Sequence, residues 1–259
     1  MRYQYIRAEV CLNARCRRTR VEEYRYAEDG RLYQRVRKGK TYVWAPVTRN
    51  GAQVVFNGVI FVGGQVRSLH GPSRTDLSDP ATAGPALARF AQITVAAEGD
   101  VRITGDLKYE DPPCTGTPTR RPNGSVVPAE CNNLDAVNVL GVYSQNGDVL
   151  LGTGTPTSLR DLTIHGVLMS ARGTVQVDNY DWIPSRGEVR LLGGVIEYYY
   201  GAFGTFDART GRNRTGYGRS FTYDQRMRSG TAPPFFPTTG LDEVQSVSLF
   251  SYGQREQVY

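Results

Sequence analysis

Long apolar runs are absent from this sequence, and histidine is scarce. No window approaches 18 uncharged apolar residues, so no helix that spans a bilayer is expected. The only two histidines, His70 and His165, leave little material for a zinc site or for Ser–His–Asp catalysis. With 39% apolar and 22% charged residues, the chain is not a disordered segment, and we expect one domain with one core.

Helix-forming patterns are also scarce, whereas turn residues are abundant. The 29 glycines and 14 prolines follow no collagen period, and they favour turns over helices. The best helix candidate covers residues 79–92, where Asp79 is a suitable N-cap and Pro80 fits the first helical position. We expect this helix to be short and to pack over one end of the body.

Five segments resemble one another, and each reads as a strand, a tight glycine-bearing turn and a second strand. They are residues 54–69, 93–109, 137–152, 162–180 and 187–201. The shared apolar positions are Val66, Val101 with Ile103, Val149 with Leu151, Val175 with Val177, and Val189 with Leu191. Stacked segments would bury these side chains on one another, which predicts an all-β chain built as an irregular β-solenoid with long inserted loops. The alternative is an antiparallel β-sandwich, because hairpins give the same alternation.

Three parts are predicted along the chain. Residues 1–50 form a basic, Arg/Tyr-rich segment that packs on the solenoid, residues 51–240 form the solenoid, and residues 241–259 form a C-terminal strand or tail.

The four cysteines form two local pairs, Cys11 with Cys16 and Cys114 with Cys131. Closing both local loops is the simplest of three connectivities, and disulfides favour an exported, extracellular location. A four-cysteine zinc site is the alternative, but neither pair has the usual two-residue spacing, so no metal is expected. Because the N-terminus lacks a secretion signal, an exported protein implies a mature product or an excised domain.

Positive charge is concentrated near the N-terminus and is carried almost entirely by arginine. Only three of the 31 basic residues are lysines, and residues 1–50 contain 13 basic against 5 acidic residues, a net of +8. Guanidinium groups suit phosphates and carboxylates, so the asymmetry indicates an acidic partner such as nucleic acid, an anionic glycan, a membrane surface or an acidic subunit.

Two basic stretches with interleaved tyrosines are candidate nucleic-acid contacts. The basic candidates are Arg15, Arg17, Arg18, Arg20, Arg35, Arg37, Lys38 and Lys40 in the first stretch, and Arg209, Arg212, Arg214 and Arg219, followed by Arg226 and Arg228, in the second. The candidate stacking residues are Tyr24, Tyr26, Tyr33, Tyr198, Tyr199, Tyr200 and Tyr217. The alternative is that arginine and tyrosine are ordinary solvent-side partners on a β surface.

Patterns for catalysis are weak, and no catalytic residue or cofactor is predicted. Asp178 and Asp181 are the only compact carboxylate pair, and their VDNYDW context is typical of a turn. His165 lies in an apolar strand pattern, where a core position is the more common role. No glycine-rich phosphate loop opens a helix, since the pairs at 63–64 and 193–194 lie within strand patterns.

The order of features after residue 162 resembles a known family. LTIHGVLMSARGTVQV is followed by GEVRLLGGVIEYYYGAFGTFD and GYGRSFTYDQRMRSGTAPPFFP, similar to a domain of unknown function in pilus-associated proteins related to PilX-type and ComZ-type minor pilins. The matching tail positions are Gly216, Tyr217, Arg219, Tyr223, Asp224, Arg226, Pro233, Pro234, Phe236 and Pro237, with Phe221 in place of a tyrosine. We expect this tail to form a rigid Pro/aromatic cover across the last strands, with Asp224 paired to Arg226 or Arg219.

The resemblance implies a non-catalytic surface module of a type IV pilus, with a role in DNA uptake in the ComZ-like case. We therefore expect non-specific DNA binding through the arginine stretches. The alternative is a structural or assembly module that docks pilus or cell-envelope proteins without nucleic acid. A carbohydrate-active β-helix enzyme would need clustered carboxylates, which the sequence does not provide.

Overall fold

The computed structural model describes residues 1–13, 15–116, 118–121, 125–152 and 160–237, and these residues form an all-β structure, as predicted. The predicted C-terminal strand or tail at 241–259 lies outside the described residues. The strands are β1 (Gln4–Cys11), β2 (Thr19–Tyr26), β3 (Leu32–Lys38), β4 (Thr41–Pro46), β5 (Thr48–Arg49), β6 (Ala52–Gln53), β7 (Val59–Val62), β8 (Val66–Leu69), β9 (Gln92–Ala97), β10 (Val101–Ile103), β11 (Thr119–Arg120), β12 (Val126–Val127), β13 (Val139–Ser144), β14 (Val149–Leu151), β15 (Leu162–Ser170), β16 (Val175–Val177), β17 (Glu188–Glu197), β18 (Gly204–Phe206), β19 (Asn213–Gly216) and β20 (Gly218–Tyr223).

The N-terminal basic segment is a four-stranded antiparallel meander in the order β1-β2-β3-β4. One end of the meander is anchored on the rest of the chain: the buried Tyr26 packs on Phe56 and Phe90, with ring centroids 4.9 and 5.9 Å apart. The Gln4 amide adds two hydrogen bonds, since it donates to the Ala86 carbonyl and accepts from the Ala88 N–H. The opposite end of the meander is exposed to solvent.

The body is built around two parallel sheets, and the chain alternates between them; three small two-stranded sheets, β5-β6, β11-β12 and β18-β19, lie outside these two. The larger sheet has the order β20-β17-β15-β13-β9-β7, and the smaller has the order β16-β14-β10-β8. In the first four repeated segments, the two strands of a segment join different sheets and pair in parallel with the equivalent strands of neighbouring segments. An antiparallel sandwich of hairpins would instead pair the two strands of one segment with each other.

The predicted apolar positions of these segments form the core. In the smaller sheet, Val66, Val101, Val149 and Val175 are aligned in one row across four strands. The last three of these valines are fully buried. β-Branched side chains fill such a row because they pack well on a pleated surface, and aligned side chains lie about 4.8 Å apart on neighbouring strands.

The fifth segment departs from the prediction, because it forms the single long strand β17. Val189 and Leu191 are level with Leu162 and Ile164 of the larger sheet, not with the valine row of the smaller one. Its glycine pair at 193–194 is inside the strand, as predicted. Gly193 lies against the Gly166 carbonyl, so a side chain would not fit at this position. The pair at 63–64 lies instead in the turn between β7 and β8.

At the ends of β13 and β15, a serine hydroxyl links the turn that follows the strand to the equivalent turn of the preceding segment. Ser144 Oγ donates to the Gly99 carbonyl (2.9 Å) and accepts from the Gly147 N–H (3.1 Å). One segment later, Ser170 Oγ donates to the Gly147 carbonyl (2.7 Å) and accepts from the Gly173 N–H (2.9 Å). These bonds satisfy turn groups that the strand ladders leave unpaired.

The Pro/aromatic segment at residues 231–237 lies across the outward face of the larger sheet. Pro234 accepts a hydrogen bond from the Thr94 hydroxyl, and the Phe236 ring meets Tyr143 edge to face. A Cβ at Gly141 would come 2.5 Å from the Phe236 ring, so glycine makes room for this cover. Before it, Asp224 pairs with Arg226 at 2.7 Å, and both side chains are about 1% exposed.

The predicted helix at 79–92 is only a single 3₁₀ turn, Pro80–Thr82, although its start is as expected, since Asp79 caps the Ala81 N–H. Gly84 and Pro85 follow within three residues, and proline disfavours helical geometry in the residue before it. A second 3₁₀ helix covers Gln225–Ser229.

Candidate functional site

The exposed end of the meander brings together most of the first basic stretch. Successive strands of a meander run in opposite directions, so the β1–β2 loop and the β3–β4 turn lie at the same end. The Cys11–Cys16 disulfide closes the first loop, as predicted, and the Cys114–Cys131 disulfide forms elsewhere in the chain. We call this end the basic tip: Arg15, Arg17, Arg18, Arg20, Arg37, Lys38 and Lys40.

The basic tip carries little compensating negative charge. All seven side chains are exposed, and Arg20 pairs with Glu22 at 2.7 Å. In the described part of the chain, the other six make no ion pair with a carboxylate, and Arg37 donates to the Gly39 carbonyl. Unpaired exposed cations on two adjacent turns produce a local positive potential that attracts polyanions. Arg35 lies further along β3, where it pairs with Glu23 at 2.7 Å.

The second basic stretch is not part of this tip. Arg209, Arg212 and Arg214 are exposed on the β18–β19 hairpin, which is inserted between β17 and β20. The meander is anchored beside residues that precede β7 and β9, at the other end of the six-stranded sheet. Five strand spacings of about 4.8 Å put these edges about 24 Å apart.

Arg219, Arg226 and Arg228 have different surroundings. Arg219 stacks on Tyr200 and Phe203, with its guanidinium carbon 4.7 and 4.5 Å from the ring centroids. It also donates to the Gly201 carbonyl at 2.7 Å. Arg226 is fully buried and satisfies Asp224 and two backbone carbonyls, so it is a structural residue, while Arg228 is exposed.

Two of the tyrosines predicted to stack on bases are in the core instead. Tyr26 is 5% exposed and Tyr217 is 1% exposed, so neither ring can reach a ligand. Burial raises the pKa of the Tyr26 phenol. Tyr24 and Tyr33 are half-buried, whereas Tyr198, Tyr199 and Tyr200 are exposed at the corner after β17. The spacing of these tyrosines in the sequence could not show which rings point inward and which point outward, because the direction of a side chain depends on which strands pair.

One face of the meander combines Arg35 and Arg37, which the sequence had singled out, with Tyr5, Arg25, Tyr42 and Trp44, which it had not. Directly opposed residues share a face, so the pairs Tyr5–Arg25, Arg35–Trp44 and Arg37–Tyr42 alternate cations with aromatic rings. Side chains alternate between the two faces of a strand, so the sequence of β1 to β4 could have revealed this face if the register of the hairpins had been known.

The residues considered for catalysis, His165, Asp178 and Asp181, lie in the core or in a turn of the fold. His165 is buried in β15, and its Nδ1 accepts the Tyr109 N–H at 3.0 Å. Burial, with Lys108 nearby, lowers the pKa of His165 to about 4. Asp178 and Asp181 lie in the turn after β16, as their sequence context predicted. The described residues contain no cluster of three or more His, Cys, Asp or Glu side chains arranged for a metal ion.

Neither a membrane-spanning helix nor a similarity to known proteins assigns a function to this chain. Among the described residues, no helix is both long and apolar enough to cross a membrane. The two disulfides indicate an oxidising compartment outside the cytoplasm. No protein-family model matches the chain, and neither the curated proteins nor the solved structures include a significant match.

Proposed function

We propose that this protein is a non-catalytic, extracellular β-solenoid module that binds DNA without sequence preference through the basic tip. The observation that carries this proposal is the convergence of Arg17, Arg18, Lys38 and their neighbours at one exposed end of the meander. Two parallel sheets with strands that alternate along the chain support the solenoid description.

The chemistry of the tip suits phosphates better than base edges. Guanidinium and ammonium groups neutralise phosphates regardless of sequence, and each contact releases bound counterions. A projecting hairpin end can approach a duplex without a matching groove on the body. The setting that the sequence resemblance suggests is a type IV pilus or another cell-surface structure that takes up DNA.

The test is the affinity for a short duplex, measured by fluorescence anisotropy at about 50 and 200 mM salt. If about four phosphates are contacted, the affinity falls on the order of a hundredfold between these two conditions. Absent binding, or an affinity that does not change with salt, contradicts the proposal.

Matched triple variants locate the site. Arg17→Ala/Arg18→Ala/Lys38→Ala removes three tip charges, and we expect it to reduce the slope of log affinity against log salt by about three. Arg209→Ala/Arg212→Ala/Arg214→Ala removes the same charge from the distant hairpin and leaves the slope nearly unchanged. Equal effects of the two variants would contradict binding at the tip.

The alternative function is an assembly module whose arginines dock an acidic envelope protein. The same unpaired tip charges favour it, because carboxylates suit guanidinium groups as phosphates do. Recovery of a stable complex with an acidic pilus or envelope protein, together with absent DNA binding, would support this function over the first.

A further inference from the structure

The arginine–aromatic face of the meander, defined here as Tyr5, Arg25, Arg35, Tyr42 and Trp44, adjoins the basic tip. Tyr42 is the second residue of β4, next to the β3–β4 turn of the tip, and is 61% exposed, while Tyr5 is 54% exposed. Large exposed rings on a sheet surface cost free energy in water, so a row of them indicates a contact surface.

Arg25 is held in position on this face without a charged partner. Its guanidinium carbon lies 4.4 Å from the centroid of the Tyr3 ring and 4.5 Å from that of Trp44. Across the residues that the structure describes, Arg25 forms no ion pair, and its shielded Nε has no hydrogen-bond partner. A guanidinium fixed between two rings loses little further freedom when it binds an anion, so it is a prepared anion site.

Arg35 differs from Arg25 in having its charge neutralised. It pairs with Glu23 at 2.7 Å while its guanidinium lies 4.9 Å from the Tyr42 centroid. The face therefore holds its cations among aromatic rings: Arg25 has no carboxylate partner, and Arg37, which the face shares with the tip, lies opposite Tyr42.

From this arrangement we infer that the arginine–aromatic face binds unpaired nucleotides, so that the protein prefers single-stranded DNA to duplex. Arg25 takes a phosphate, and bases stack on the exposed rings of Tyr5 and Tyr42. Bases in a duplex are already stacked on one another and cannot reach these rings, whereas every unpaired base presents a face that stacks. This inference rests on the proposed function, since the tip supplies the remaining phosphate contacts.

Trp44 provides a direct readout of stacking. The chain has 2 tryptophans, and the other, Trp182, is 85% exposed in a turn of the body. In a Trp182→Phe background, all tryptophan fluorescence comes from Trp44. We expect an oligothymidine of about 12 nucleotides to quench this fluorescence and to bind on the order of tenfold more tightly than a duplex of equal length.

Variants of Tyr42 separate stacking from charge. Tyr42→Ala should weaken single-strand binding on the order of tenfold and change duplex binding by less than about twofold, while Tyr42→Phe retains both affinities. The control is Tyr199→Ala, which removes an equally exposed ring from the corner after β17. Circular dichroism of each variant verifies that the sheet is intact.

The outcomes distinguish this inference from the proposed function. Equal affinity for single strand and duplex, with unchanged Trp44 fluorescence, overturns the inference and leaves duplex binding by the tip in place. If neither DNA binds, both the inference and the proposed function are wrong. If Tyr199→Ala weakens single-strand binding as much as Tyr42→Ala, the stacking surface is not the meander.

Discussion

Protonation of His165 should destabilise the folded protein below neutral pH. The pKa of His165 is lowered to about 4 by burial, against an ordinary value of 6.5. Its unprotonated Nδ1 accepts the Tyr109 N–H, and a proton on that nitrogen would remove this bond. Nearby Lys108 also disfavours the charged ring, whereas Asp106 and Asp224 favour it too weakly to reverse the shift.

The sign follows from the order of the two pKa values. Between pH 6.5 and about 4 the unfolded chain binds a proton at His165 that the folded chain does not bind, so stability falls as the pH falls through this window. At 1.36 kcal/mol for each pKa unit, His165 accounts for a loss of about 2–3 kcal/mol between pH 7 and 4.5.

The assay is urea unfolding at these two pH values with the disulfides intact. His165→Asn keeps an acceptor for the Tyr109 N–H and removes the titration, so its stability should fall by about 2–3 kcal/mol less than that of the wild type. The control is His70→Asn, which makes the same substitution at the exposed second histidine and leaves the hydrogen bond between Tyr109 and His165 in place. An unchanged pH dependence in His165→Asn would refute the reasoning.

Two further predictions concern the buried pair and the cover. Arg226→Ala leaves Asp224 buried and unpaired, so we expect it to cost about 3–5 kcal/mol in thermal or urea unfolding, whereas the exposed Arg228→Ala costs less than about 1 kcal/mol. Similar costs would contradict a structural role for the pair. Gly141→Ala places a Cβ against Phe236 and should speed hydrogen exchange at residues 231–237; unchanged exchange would show that the cover adjusts without detaching.

Much of the body could be predicted from the sequence because its side chains alternate with the period of a strand. Val101, Val149 and Val175 each follow a glycine-bearing turn, and this local pattern was sufficient to place them in the core. The two cysteine pairs were predictable for a similar reason, since each closes a local loop. These features depend on residues that are close together in the chain.

The remaining features depend on register, which local patterns do not contain. Val189 follows a glycine as the other valines do, yet it pairs with Leu162 in the other sheet. Tyr26 lies among exposed basic residues in the sequence but is buried, because β2 ends against Phe56. Arg25 gave no signal of its own, since its position between two rings requires the pairing of β1 through β4.

The most direct test of the basic tip as the DNA-binding site is a map of photo-crosslinks between the protein and a bound, halogenated oligonucleotide. Mass spectrometry of the digested complex should place the crosslinks within residues 12–20 and 37–42, and the Arg17→Ala/Arg18→Ala/Lys38→Ala variant should reduce their yield. Crosslinks concentrated at residues 209–219, or spread evenly over the chain, would contradict the account.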